Sequence, residues 1–178
     1  KLESAESLAY SGSYSNGNWG LFSEFNGWRH EGSAKVEVQK SGLIGTTDSG
    51  QAIFELDSTA NATIYRDITG LDSDLTHTLS FDFSARPNVS LESNTIEVYW
   101  DGKLLDTISA EGRGLSNFDW TTYTYEVPVT DSDARLTFKS PEVVLSPVVL
   151  LQYTWFSGDD PCTDDYEGWD GLFANYPI

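Results

Sequence analysis

Residues 79–106, LSFDFSARPNVSLESNTIEVYWDGKLLD, decide the fold. Leu79, Phe81, Phe83 and Ala85 fall on one side of an extended chain, and Ser80, Asp82, Ser84 and Arg86 on the other. That hydrophobic period of two predicts a half-buried strand. Ile96, Val98 and Trp100 repeat the pattern. Behind them, Asp101-Gly102 supplies the positive φ angles that a type I′ hairpin turn requires. The stretch reads as two strands joined by a polar loop, followed by a tight hairpin: part of a β-sandwich.

Further strands are expected at 34–40, 51–57, 62–68, 76–86, 95–100, 103–109, 120–129, 134–140 and 147–156. Turn residues separate them, among them Ser41-Gly42, Ser49-Gly50, Gly70, Gly112 and Gly114. Many short strands with regular turns mean an antiparallel all-β sandwich or barrel. Residues 1–33 are expected to form an irregular segment held to the body by Trp19, Phe22, Phe25 and Trp28, although a sugar-stacking role for Trp19 and Trp28 competes. A chain of 178 residues suits a single domain. Its core is expected at about 18–156, with 157–178 as an acidic segment of open role.

The net charge of −18 argues against nucleic acid, whose phosphates would be repelled. No apolar run reaches the ~18 residues of a membrane span. The single cysteine, Cys162, rules out an internal disulfide. Lys1 opens the chain without a signal-like segment, which predicts an internal domain of a longer protein. His77, between Thr76 and Thr78, is expected at the surface. No Gly-x-Ser-x-Gly elbow or phosphate-binding loop occurs. A compact sandwich rarely opens the cleft a glycosidase carboxylate pair needs, so no catalytic role is expected.

Successive antiparallel strands send alternate loops to the same end. One end should gather 57–61, 86–94, 111–119 and the loop near Pro141. It offers Asp57, Asn88, Glu92, Asn94, Glu111 and Asp119 as oxygen donors, with Arg86 and Arg113 as cations able to fork onto a carboxylate. The opposite end should gather 46–50, Asp72-Ser73-Asp74, Asp101-Gly102 and Asp131-Ser132-Asp133. Each Asp-Ser-Asp triplet spaces two carboxylates so that they can converge on Ca²⁺. The same residues are also ordinary turn formers that bond their own backbone. A third acidic run, Asp164-Asp165-Tyr166-Glu167-Gly168-Trp169-Asp170-Gly171, lies in the tail, where its four carboxylates either share a calcium ion or stand apart in water.

The motifs NWGLFSEFNGW, GQAIFELDST, LSFDFSARPN, NTIEVYWDGKLLDTI, WTTYTYEVP and ARLTF resemble one group. It comprises the galactose-binding-like jelly-roll modules of giant bacterial surface proteins, and in particular the peptide-binding domain of calcium-dependent RTX adhesins. The resemblance covers about residues 18–140. It implies a secreted, calcium-loaded and non-catalytic jelly roll at the bacterial surface, a monomeric module within a larger adhesin. Its ligand would be a peptide or protein C-terminus captured through calcium, with Asp57, Arg86 and Asn94 at the motif positions. A carbohydrate-binding module on the same fold is the alternative. Where related modules end on an Ile-Asp-Asn-Val-like strand, this chain has VVLSPVVLLQYTWFSGDDPC.

Overall fold

The computed structural model describes residues 17–46, 53–56, 60–141 and 148–159, the last of these by its backbone. Asp57, the 47–50 turn and the tail run from Asp164 lie outside the described residues.

Among the described residues, twelve strands follow one another: β1 (Trp19–Phe22), β2 (Glu24–Phe25), β3 (Trp28–Glu31), β4 (Val36–Gln39), β5 (Ile53–Leu56), β6 (Thr63–Thr69), β7 (Thr76–Phe83), β8 (Thr95–Trp100), β9 (Lys103–Ser109), β10 (Thr121–Val127), β11 (Asp133–Lys139) and β12 (Val148–Asp159). They pair antiparallel into two six-stranded sheets. The first runs β1-β4-β5-β12-β7-β10 and the second β2-β3-β6-β11-β8-β9. This is the expected jelly-roll sandwich.

Period-two patterning places the core between the sheets. Leu79, Phe81 and Phe83 of β7 are buried in one cluster with Phe138 of β11 and Trp28 of β3. Phe81 meets Phe138 edge-on at 4.9 Å, and Trp28 lies 5.6 Å from both Phe138 and Phe54. Aromatic pairs at such distances add specific attraction to the burial itself. The Asp101-Gly102 turn has the required positive φ angles, 47° and 73°. It pairs Trp100 with Lys103.

Two expectations need correction. The described part of the segment before residue 33, from 17 onward, is not irregular: it contributes β1, β2 and β3. Gly27 falls in the turn between β2 and β3, and Phe25 and Trp28 are core residues, which removes Trp28 from any sugar platform. His77 is buried, not superficial. It continues the Leu79–Phe81 row on the core side of β7, and its Nε2 donates to the Asp72 carbonyl at 2.7 Å.

Candidate functional site

The predicted loop clustering holds at the end where β7 finishes. Asn88 donates its backbone N–H to the Gly112 carbonyl at 2.7 Å, and Gly112 donates back to Val89 at 3.0 Å. Gly112 is required here, because a Cβ would stand 2.0 Å from the Arg86 carbonyl oxygen. Asn88 takes a left-handed φ of 66°, which asparagine tolerates. These contacts bring Arg86, Asn88, Asn94, Glu111 and Arg113 to one rim.

Within that rim the residues divide by role. Asn94 is 0% exposed. Its Oδ1 accepts from the Arg86 backbone N–H at 2.8 Å, and its Nδ2 donates to the carbonyls of Val89 and Ser90 at 3.0 and 3.1 Å. It is the hub that shapes the 86–94 loop, and it presents nothing to a ligand or metal at the surface. Glu111 and Arg113 face solvent and form a two-pronged ion pair, at 3.1 Å on each prong. Arg113 holds the Glu111 carboxyl below its ordinary range, and Glu111 raises the Arg113 guanidinium in turn. Asp119 is exposed, and its backbone N–H is held by Ser84 Oγ at 2.9 Å.

At the opposite end the two Asp-Ser-Asp loops do meet, since Leu71 N–H donates to the Ser132 carbonyl at 2.8 Å. Asp72, Asp74, Asp131 and Asp133 are all exposed. Asp72 Oδ1 accepts from the Asp74 backbone N–H at 2.9 Å, the ordinary turn-forming use of aspartate. Among the described residues, no three Asp, Glu, His or Cys side chains converge to hold a metal. The loop after β4 departs from expectation. It turns back toward the other end, where Thr46 N–H donates to Asn117 Oδ1 at 2.8 Å and Asn117 Nδ2 donates to Thr46 Oγ1 at 2.9 Å.

That turn-back creates the feature that strand reasoning missed. The 40–46 loop and the 110–120 loop meet over the outer face of the first sheet, away from the core. Ile44, Phe118 and Trp120 pack there with Ile53 of β5. Beneath this end of the sheet, Glu37 and Gln39 of β4 and Glu55 of β5 are buried on the outer face, at 4%, 2% and 2% exposure. Glu37 and Glu55 are direct cross-strand partners. Gln39 Nε2 donates to both Glu37 Oε1 and Glu55 Oε2. Arg86 reaches down from the rim to form an ion pair with Glu55. Burial pushes the Glu55 carboxyl up to about 8, with Arg86 opposing the rise and the neighbouring Glu37 adding to it.

The sequence signal for this cluster is thin. Glu in an alternating strand ordinarily marks the wet face. Only the polar side chains Glu37, Gln39 and Glu55, recurring on one side of two adjacent strands, hint at a shared patch. As metal donors they are better placed than the loop acids, because two carboxylates and an amide group stand side by side on one rigid sheet.

No protein-family model matches the chain. The chain is 28% identical over 116 residues to a multifunctional-autoprocessing repeats-in-toxin protein of Vibrio vulnificus. That match spans 64% of this chain and 2% of the toxin's length. Among solved structures, TmCBM61 in complex with β-1,4-galactotriose superposes with a TM-score of 0.51 at 16% identity, covering 76% of this chain and 91% of the other. The carbohydrate-binding module CBM36, in complex with calcium and xylotriose, superposes with a TM-score of 0.47 at 11% identity, covering 74% and 95%. The likeness to TmCBM61 is one of fold, and it agrees with the jelly-roll resemblance carried by the motifs.

Proposed function

We propose that this chain is a non-catalytic ligand-binding module of a bacterial surface adhesin. It works outside the cell and captures a hydroxyl-rich saccharide at the rim formed by Arg86, Asn88, Glu111 and Arg113. The observation that carries this reading is the state of the two rim arginines. Arg86 is committed to Glu55 and Arg113 to Glu111. A ligand carboxylate needs an unspent guanidinium or a metal, whereas neutral hydroxyls suit a rim of paired donors and acceptors. The galactotriose in the superposed carbohydrate-binding module supports the same ligand class. The rim is also held from beneath by Asn94 and Gly112, so little conformational entropy is lost on binding.

A calcium-bridged peptide C-terminus is the second reading. It is favoured by the charge of −18, which leaves a divalent cation as the means of docking an anion here. A glycan array run beside free-acid peptides and their C-terminal amides separates the two. The saccharide reading expects glycan binding and no loss on amidation. Binding confined to free-acid peptides and abolished by EDTA would overturn it in favour of the second.

A further inference from the structure

We propose that Glu37, Gln39 and Glu55 form a binding site for a divalent cation of the calcium class on the outer face of the first sheet. The proposal does not depend on which ligand the rim takes. Glu37 and Glu55 stand directly opposite each other across β4 and β5. Residues so paired have Cβ atoms about 5 Å apart, and like charges there repel. Gln39 lies two residues along β4, on the same face. Arg86 brings one positive charge to two carboxylates.

Two buried oxygens in this cluster lack a partner. Glu37 Oε2 and Gln39 Oε1 are buried and accept no hydrogen bond. Native proteins seldom leave buried polar atoms unpaired, and each exception asks for a partner such as an ion. Both orphans are acceptors, and a cation can answer the two together. Two carboxylates and an amide carbonyl are hard oxygen donors of the kind calcium selects. In the metal-free arrangement the Gln39 amide turns its Nε2 to both carboxylates and stands in as a donor between them. Rotating that amide by a half-turn exchanges Nε2 for Oε1 and adds an oxygen to the same place. Three side chains fall short of the six to eight oxygens calcium takes. The remaining positions go to water or to a ligand oxygen.

Calcium bound per full 178-residue chain is counted by equilibrium dialysis, with no ligand in the cell, for the wild type and for Glu37→Gln. The substitution keeps the shape and removes one of the repelling charges. Glu37→Gln is expected to bind one ion fewer and to melt in EDTA no lower than the wild type. An unchanged ion count, or a wild type that binds no calcium, overturns the proposal. If Glu37→Gln proves unfolded in EDTA, Gln39→Leu decides instead. An affinity loss of tenfold or more then supports the site, and an unchanged affinity overturns it. Because no saccharide or peptide is present, a negative result here leaves the rim reading standing, and the reverse also holds.

Discussion

Arg86 reaches from the end of β7 to the carboxylate of Glu55 on β5, two strands that are not neighbours in the sheet. Glu55 is 2% exposed and Arg86 27%. The pair therefore links a rim open to solvent with a cluster shut away beneath it. Removing the cation leaves two opposed buried carboxylates, and breaking such a pair from one side is costly. Arg86→Met is expected to lower stability by about 3 kcal/mol in urea unfolding. A loss within error of zero would mean that the pair is not formed in solution.

The Glu55 carboxyl also sets a pH dependence. Its folded value is raised to about 8 from an ordinary value of 4.5. Between those values the folded state holds a proton that the unfolded chain has released, so stability falls as pH rises. The contribution is complete below pH 4.5 and gone above about 8. Urea unfolding in EDTA at pH 5, 7 and 9 should show the decline, and Glu55→Gln should flatten it. An identical slope in the variant would assign the decline to the general negative charge instead.

Asn94 and Gly112 are expected to behave as structural residues. Asn94→Ala strips the Arg86 N–H of its acceptor and takes one donor each from the Val89 and Ser90 carbonyls. It is expected to cost about 2 kcal/mol or more, from unsatisfied groups. Gly112→Ala forces a methyl group onto the Arg86 carbonyl oxygen, a backbone atom that cannot swing aside. Melting temperatures should fall for both variants. A full-stability Asn94→Ala would reopen Asn94 as a ligand contact.

Arg113→Ala tests the rim from the other side. The Arg113–Glu111 pair is exposed, and such pairs hold little stability. The melting temperature is expected to stay unchanged while affinity for the captured saccharide drops tenfold or more, read by calorimetry. Unchanged affinity would move the ligand away from this rim.

The hairpin at Asp101-Gly102 and the alternation of Leu79, Phe81 and Phe83 were legible because both are local. Backbone φ preference and a period of two act over a few residues. Loop clustering at the Arg86 end was legible one level up, from strand alternation. The roles within that cluster were not. Asn94 and Arg113 carry similar polar groups, and burial alone made one a hub and left the other at the surface. The strands β1 to β3 were missed because two-to-four-residue strands broken by Gly27 and Gly32 carry too little periodicity to register.

By itself the sequence determined an antiparallel sandwich, its principal strands, its hairpin and its strongly acidic charge. The tertiary structure alone decided that Glu37, Gln39 and Glu55 are buried. An alternating strand specifies which side chains share a face, but whether that face meets water depends on what crosses it. Here two loops from distant parts of the chain, joined through Thr46 and Asn117, close over the sheet beside them, and no local pattern encodes that meeting.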